Sequence, residues 1–547
     1  EKKRERSLLR DGTIPNKTFF QINSDLCENC HACVEMTGCP GLTKTEDAYG
    51  DKIMIDPQIC VSDSYCTKIK ACPSFEEVIV HQYHPTKYKP SSKDNPLDNI
   101  PEVNGISLQE IKDGRTWRAV VTGVGGSGVT TISRIIAEAS KDLEPDFDFK
   151  FMDQKGLAQR NGRVTGHLAL HPKGSSAATV TPLGEADLML SPDLLDGSQA
   201  IQFLSKEHGK AIIGDDLQIP LSFILDKGAP SKSDLIKKVE ENSQVELVSI
   251  KSVASSQLGK AVYANAMALG VAYQKGYLPF CLTEMTDAFS RAVSKQELEN
   301  NLHAFQLGRL LVNDPNNSIF HEYNDKLELS QFEESLIDSF PFFKSTSIMV
   351  KFFRKSIARL QKYFPFVETC HLYQYVHDLF IYDRGKNIEE FLQNAGEISI
   401  SKINQEEKKA ALGLLAKTYF VKDEVFCSHQ MISPIKKYRD EKQWGKIGRD
   451  YNIIRINRPH FDIFGKELEF DLSPSTWMLK SMRHLRVLRF LLPSWHYKER
   501  EIAKRMRAKI MQLVSSSEEV MNNLRELNNI NGYREVRYEK FAKVFNE

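Results

Sequence analysis

The alternation of apolar and polar residues predicts an α/β domain in the first half of the chain. Residues 118–122 are predicted to form a short apolar strand. The glycine-rich turn 123–128 follows, and residues 129–140 have helical periodicity. Further strands, separated by helical stretches, are predicted at residues 147–152, 183–190, 211–213 and 245–250. This alternation predicts a Rossmann-like, doubly wound domain over residues 116–312.

The pattern changes after residue 312, where long helical stretches rich in Lys, Arg and Glu dominate, as in residues 347–363 and 497–529. Residues 84–101 are rich in Pro, Lys, Ser and Asn, which is typical of a linker. The predicted organisation is multidomain α/β and α+β: a lead segment 1–25, a cysteine-rich domain 26–90, a linker 91–115, the α/β domain 116–312 and a mostly helical domain 313–547.

Composition fits this picture of several folded domains. The 547 residues, at ~150 residues per domain, correspond to three or four domains. The 73 Lys+Arg and 72 Asp+Glu residues nearly cancel, so the net charge favours neither nucleic acid nor an anionic membrane. The apolar stretch 261–274 is too short to cross a bilayer, and no export signal is visible, so we expect a cytoplasmic protein. The chain begins at Glu1 without Met, which indicates a processed product or a piece of a longer protein.

Seven of the ten cysteines lie between Cys27 and Cys72, in two similar halves. Crowded thiols in a chain without an export signal indicate metal ligation rather than disulfides. The halves read Cys27-x2-Cys30-x2-Cys33-x5-Cys39-Pro and Cys60-x2-Asp63-x2-Cys66-x5-Cys72-Pro. This double pattern resembles bacterial two-cluster ferredoxins, in which the last cysteine of each run ligates the other cluster. Both of its final spacings are two residues longer than the usual x3.

By that crossover logic, cluster one is held by Cys27, Cys30, Cys33 and Cys72, and cluster two by Cys39, Cys60, Cys66 and the residue at position 63. Position 63 is Asp, and a carboxylate oxygen is a harder ligand for cluster iron than a thiolate. Either Asp63 binds the fourth iron of a labile or potential-shifted [4Fe–4S] cluster, or that iron is missing and the cluster is [3Fe–4S]. A zinc-ribbon-like site is the alternative, but it does not explain ligand positions at successive x2 spacing followed by Cys-Pro, twice.

The glycine-rich turn offers a second candidate site. Gly123, Gly125 and Gly128, with the additional Gly126, fit the dinucleotide-binding fingerprint between a strand and a helix. The free N–H groups of the helix N-terminus would hold a phosphate, and an acid follows the next predicted strand. The alternative is that these glycines only allow strand and helix to pack closely.

The polar segment 153–167 follows that next strand, where α/β folds place functional sites. Its candidate side chains for a site or a subunit interface are Asp153, Gln154, Lys155, Gln159, Arg160, Arg163 and His167. A solvated loop is the alternative, and a structural role for His167 is favoured over a catalytic one. Outside these motifs, Cys281, Cys370 and Cys427 are interpreted as core residues.

Together these motifs resemble the 2-oxoacid:ferredoxin oxidoreductases, and within them the C-terminal part of the fused bacterial indolepyruvate enzymes. The residues that carry the resemblance are the second cysteine run through CysProSerPhe (60–75), GVGGSGVTT (123–131), DQKGLAQRNGRVTGH (153–167) and the GEADLML…DLL run (184–195). The resemblance implies that 116–312 is the gamma-type domain of an enzyme that converts a 2-oxoacid and CoA to acyl-CoA, CO2 and reduced ferredoxin. It implies thiamine diphosphate and Mg2+ as cofactors. It also implies an external ferredoxin and a thiamine-binding domain or subunit as partners, and an oligomer. Asp63 then belongs to the family's cysteine pattern.

The thiamine motif itself is not recognisable in this chain, because the nearest match, Gly214-Asp215-Asp216, carries an acid that would repel a diphosphate. We therefore expect the thiamine site on a missing half or on a partner, and the electron-exit clusters on this chain. Two rival interpretations stay open: a self-contained NAD(P)- or flavin-linked iron–sulfur electron carrier, and a non-catalytic docking or scaffold protein with structural clusters.

Overall fold

The structure is a computed structural model, and its described residues fall into two compact units. The described residues up to 83 and those from 327 onward form unit 1, and those from 97 to 321 form unit 2. The described residues are 15–57, 59–68, 72–83, 97, 99–143, 145–156, 162–217, 219, 224, 232–242, 244–321, 327–340, 346–445, 447–456, 460–463, 466–469, 473–487, 489, 496–516 and 519–545.

The strands are β1 (Lys17–Ile22), β2 (Leu42–Asp47), β3 (Gly50–Ile55), β4 (Phe75–His81), β5 (Trp117–Val124), β6 (Phe147–Lys155), β7 (Arg163–Pro172), β8 (Leu188–Ser191), β9 (Lys210–Gly214), β10 (Val245–Val248), β11 (Asp450–Arg455), β12 (His460–Ile463) and β13 (Lys466–Glu469).

The helices up to residue 321 are α1 (Ala32–Thr37), α2 (Leu108–Lys112), α3 (Val129–Ser140), α4 (Leu194–Ala200), α5 (Lys232–Glu240), α6 (Ile250–Leu258), α7 (Ala264–Gln274), α8 (Leu282–Ala292), α9 (Lys295–Asn313) and α10 (Ser318–His321). The later helices are α11 (Leu329–Ser339), α12 (Thr346–Tyr363), α13 (Thr369–Asp383), α14 (Ile388–Ile400), α15 (Gln405–Lys417), α16 (Glu424–Ile432), α17 (Pro434–Trp444), α18 (Thr476–Met482), α19 (Tyr497–Ser516), α20 (Val520–Asn528) and α21 (Glu535–Phe545).

Unit 2 is built on a mixed sheet whose described strands lie in the order β10-β9-β8-β5-β7-β6. The strands from β10 to β5 are parallel, whereas β7 runs antiparallel to both β5 and β6. Alternate residues of β5 face opposite sides, because side chains alternate along a strand. Ala119 and Val121 belong to one core with α3 and α7, and Val120 belongs to a second core with α4 and α5. The sheet is thus covered on both faces, as the α/β pattern predicts, but β7 makes it mixed rather than parallel.

Unit 1 joins the cysteine-rich segment to the helices of the second half of the chain. Strands β1, β4 and β11 form an antiparallel sheet, and β2 and β3 form a hairpin. The side chain of Trp444 on α17 packs on this sheet, with its ring centroid 4.9 Å from that of Phe19. A large core runs through α11 to α15 and continues into α19 and α20. Strand β11 is a departure from the mostly helical C-terminal domain that the sequence predicts.

The predicted domain boundaries stay predictions. Helix α2 lies inside the predicted linker 91–115, of which residues 91–96 and 98 lie outside the described residues.

Candidate functional site

The structure brings Cys72 of the second cysteine run to the three leading cysteines of the first. Burial raises the pKa of the Cys33 thiol, and the thiols of Cys72, Cys27 and Cys30 raise this pKa further. The pKa of Cys72 is raised to about 12, first by burial and then by Cys30. Thiols interact in this way only when they lie close together, so these four side chains form one group.

The second group combines Cys39 of the first run with residues of the second. The pKa of Cys66 is raised to about 12, first by burial and then by Cys60, Cys39 and Asp63. Burial likewise raises the pKa of Cys60, with further contributions from Cys39 and Asp63 that act in the same direction. Each group therefore takes one member from the other half of the motif.

The two loops have matching backbone conformations. In both, the residues on either side of the middle position have left-handed φ angles: Asn29 (52°) and His31 (65°) around Cys30, Ser62 (55°) and Ser64 (60°) around Asp63. Positive φ is uncommon for such residues, so its repetition at equivalent positions is a specific likeness. Asp63 thus occupies in the second loop the place that Cys30 occupies in the first. Its side chain is exposed, and its Oδ1 accepts a hydrogen bond from the Tyr65 N–H at 3.1 Å.

Backbone N–H groups point at the leading sulfur of each loop. The Asn29 and Ile53 N–H groups both donate to Cys27 Sγ at 3.4 Å, and the Ser62 N–H donates to Cys60 Sγ at 3.4 Å. Such donors stabilise the negative charge of a thiolate and tune a metal group bound to it. The residues are therefore suited to act as metal ligands.

The spacing of the sulfurs does not suit a single ion. A tetrahedral zinc site with Zn–S distances of about 2.3 Å places its sulfurs ~3.8 Å apart. Among the described residues, Glu368, Cys370 and His371 have three possible ligand atoms within 4.8 Å of one another. No three ligand atoms of either cysteine group lie that close together in the part of the chain that the structure describes. Iron–sulfur ligation by the two groups stays a prediction.

A buried cation lies beside the first group, and the sequence analysis missed it. Lys52 is 2% exposed, and its Nζ donates to the Cys27 carbonyl oxygen at 2.7 Å. Burial lowers the pKa of Lys52, but Asp47, Glu28 and Cys27 outweigh this effect and raise it overall. A lysine within a short hairpin strand normally points to solvent, so the sequence carried no signal for this role.

The glycine-rich turn lies at the end of β5, where close packing accounts for two of its glycines. A Cβ on Gly123 would lie 3.0 Å from a methyl group of Val129, and one on Gly128 would lie 3.1 Å from the side chain of Asn265. The Gly125 N–H donates to the Gly162 carbonyl at 2.7 Å and is thereby occupied. Gly126 is exposed, with a φ of 95° that favours glycine. Phosphate or nucleotide binding by this turn stays a prediction.

The segment 153–167 connects two antiparallel strands, rather than following a parallel strand as the sequence predicts. Asp153, Gln154 and Lys155 end β6, Arg163 begins β7, and Gln159 and Arg160 lie outside the described residues. Burial raises the pKa of Asp153, while Lys155 and the Ser133 hydroxyl oppose the shift. Arg163 approaches Asp196, with 3.9 Å between Nε and Oδ1.

His167 has the partners of a structural histidine. It is fully buried in β7, its Nδ1 accepts from the Thr181 N–H at 3.3 Å, and its Nε2 lies 3.3 Å from Gln154 Oε1. Burial lowers the pKa of this imidazole, which favours its neutral form. Of the three isolated cysteines, Cys427 is buried as expected, Cys370 is half-buried, and Cys281 is exposed rather than part of a core. No helix among the described residues is long and apolar enough to span a bilayer.

Comparison with known proteins identifies the α/β domain. Residues 118–311 match the family described as pyruvate ferredoxin/flavodoxin oxidoreductase. Indolepyruvate oxidoreductase subunit IorB of Archaeoglobus fulgidus is 25% identical over 190 residues, which are 35% of this chain and 92% of that protein. The same subunit of Methanothermobacter thermautotrophicus is 25% identical over 194 residues, 35% of this chain and 95% of that protein.

Two solved structures are each similar to about a third of the chain. The gamma subunit of a keto/oxoacid ferredoxin oxidoreductase of Geobacter sulfurreducens is 20% identical, with a TM-score of 0.26, over 36% of this chain and 99% of that chain. Pyruvate oxidoreductase subunit PORC of Thermotoga maritima is 15% identical, with a TM-score of 0.27, over 36% of this chain and 96% of that chain.

The family match places residues 118–311 beside a domain of pyruvate ferredoxin/flavodoxin oxidoreductases. Over about a third of its length, the chain is therefore similar to subunits of 2-oxoacid:ferredoxin oxidoreductases. The matched relatives correspond to about a third of the chain, and the family match at 118–311 leaves out the cysteine groups and the residues that follow it.

Proposed function

We propose that this chain is the iron–sulfur and gamma-domain portion of a thiamine diphosphate-dependent 2-oxoacid:ferredoxin oxidoreductase. One observation carries the proposal: two crossed groups of sulfur ligands share a chain with a domain of this family. The clusters are a two-cluster ferredoxin-like module, with Cys27, Cys30, Cys33 and Cys72 as the ligands of one and Cys39, Cys60, Cys66 and Asp63 as the ligands of the other. Such clusters, when bound, accept and release single electrons.

The chain's own residues would hold and tune these clusters. The N–H donors to Cys27 and Cys60 and the ammonium of Lys52 favour negatively charged sulfur. An Asp at position 63 in place of thiolate makes the two groups chemically different. We therefore propose that they differ in potential and in sensitivity to oxygen.

The substrate and partners follow from the relatives. Since the matched proteins are named as subunits of indolepyruvate oxidoreductases, we propose an arylpyruvate-type 2-oxoacid as substrate. The thiamine diphosphate and Mg2+ would be bound on a partner or on a further part of the same protein. An external ferredoxin would receive the electrons from this chain.

Electron transfer by the isolated chain tests the proposal. The anaerobically purified chain, reduced with dithionite and freed of excess reductant, is mixed with oxidised ferredoxin in a stopped-flow spectrometer. We expect ferredoxin reduction, its loss in a variant carrying both Cys39→Ser and Cys72→Ser, and its retention in Cys281→Ser, which changes an exposed cysteine outside both groups. Dye reduction by the isolated chain with NADPH as donor would instead favour a self-contained nucleotide-linked carrier.

A further inference from the structure

Unit 1 has a partly open cavity between the cysteine-rich segment and the helical part. Its volume is about 290 Å³, near the lower end of the roughly 300–1,000 Å³ typical of small-molecule sites. Glu28 and Lys52 line it from the cysteine-rich side, and Lys417 and Arg537 from the helical side. We call this space the Lys417 cavity.

Most of the described wall is apolar and suited to a flat ring. Three methionines line it, Met431, Met482 and Met506, together with Phe420 and Leu414. Methionine side chains adapt to irregular shapes, and their sulfur atoms make favourable contacts with aromatic rings. The wall therefore favours an aromatic body over a strongly hydrated ligand.

The carboxylates of the described wall already have cationic partners. The pairs are Glu28 with Lys422, Glu424 with Arg534 at 3.2 Å, and Glu499 with Arg537 at 2.8 Å. These pairs leave the wall without a free negative charge.

Two cations in the same described wall have donor groups that are not hydrogen-bonded to a carboxylate. Lys417 Nζ donates to a neutral acceptor, Asn528 Oδ1, at 3.1 Å. Arg537 Nε is buried without a hydrogen-bond partner, although its Nη1 is paired with Glu499. Both cations lower the pKa of Glu28, which lines the same cavity. A buried donor without a partner is costly, so an anion that accepts a hydrogen bond from Arg537 Nε would offset that cost.

The charged groups around Lys417 also favour a bound anion. Burial lowers the pKa of Lys417 to about 8; Lys52 and Lys422 lower it further, while Glu28 and Asp47 oppose the shift. A bound anion would stabilise its ammonium form, since an opposite charge nearby favours the charged state.

We infer that the Lys417 cavity binds a small aromatic monocarboxylate, with its carboxylate toward Lys417 and Arg537 and its ring against the methionines. This site is separate from the glycine-rich turn and from the sulfur ligands. Its test measures the binding of a small molecule and not electron transfer, so it can fail while the electron-transfer assay succeeds.

Isothermal titration calorimetry of the full chain with naphthalene-2-carboxylate tests the site. We expect one molecule per chain, binding at least about tenfold more weakly for the neutral naphthalene-2-carboxamide, and no measurable binding of inorganic phosphate. Equal affinity for the amide, or binding of phosphate as tight as that of the carboxylate, would overturn the inference, as would failure of the carboxylate to bind.

Variants and pH locate the anion partner. Lys417→Met should weaken carboxylate binding at least about tenfold, Lys417→Arg should restore it to within about threefold, and Lys402→Met, at an exposed lysine ahead of α15, should leave it unchanged. In the unmodified chain, affinity should fall several-fold between pH 7 and pH 9, because Lys417 loses its proton above about pH 8. Unchanged affinity in Lys417→Met, or across this pH range, would remove Lys417 from the site.

Discussion

Lys436 is the central cation of a buried network that ties the β1–β4–β11 sheet to helix α17. Its Nζ lies 2.8 Å from Glu76 Oε2 and 2.5 Å from Asp440 Oδ2, and all three residues are at most 6% exposed. Gln21 completes the network by donating to Glu76 Oε2 at 2.7 Å. Lys436→Met keeps an unbranched side chain, one atom shorter, and leaves two carboxylates without their cation.

Breaking a buried ion pair by removing one partner costs about 3–5 kcal/mol. This loss corresponds to an increase of roughly two to four powers of ten in the equilibrium constant for local opening. Hydrogen–deuterium exchange of peptides covering β1 and β4 should therefore accelerate by that factor in Lys436→Met. Lys437→Met, which removes the exposed neighbouring charge, should change the opening free energy by less than about 0.5 kcal/mol.

A second substitution separates lost charge balance from lost packing. Adding Glu76→Gln to Lys436→Met removes one of the stranded charges and keeps an acceptor for Gln21, so part of the protection should return. If Lys436→Met accelerated exchange no more than Lys437→Met does, the ion network would not stabilise this sheet, and the reasoning would be refuted.

Three further predictions concern the sulfur ligands and the packing of unit 2. Asp63→Cys should slow the loss of iron from the second cluster in air and change its reduction potential; an unchanged EPR spectrum and unchanged air stability would mean that Asp63 is no ligand. Cys72→Ser and Cys39→Ser should each abolish a different EPR signal of the reduced protein, and the Asp63-dependent signal should disappear with Cys39, whereas its disappearance with Cys72 would contradict the crossover. Gly270→Ala should lower the free energy of unfolding by about 1–3 kcal/mol in thermal unfolding, because the new Cβ would lie 2.0 Å from a main-chain oxygen of α9. The control is Gly396→Ala, whose Cβ would have its nearest neighbour at 3.5 Å; it should be neutral or stabilising.

The sequence predicted the elements whose patterns are local. Helix α3 spans the predicted residues 129–140, and β5 extends the predicted strand 118–122 by one residue at its start and two at its end. The carboxylate at position 63 was recognisable because the motif repeats at fixed spacing. The left-handed residues around it were not, since neither loop has glycine at those positions.

Interactions between residues that are far apart in the chain could not be predicted from local sequence patterns. Strand β7 went unrecognised because its polar residues, Thr165 and His167, interrupt the apolar pattern although both are buried. The pairing of β11 with β4 joins residues such as Ile453 and Val78, which are far apart in the chain. The Lys417 cavity likewise depends on residues from both ends of unit 1, so no local window of sequence could reveal it.

Iron and acid-labile sulfide analysis tests the central claim most directly. The full chain, purified anaerobically, should contain about seven or eight iron atoms and about eight sulfides, seven iron atoms indicating a [3Fe–4S] second cluster and eight an Asp63-ligated [4Fe–4S] cluster. Zinc without labile sulfide, or about four iron atoms with a single cluster, would contradict the assignment of two iron–sulfur clusters to this chain.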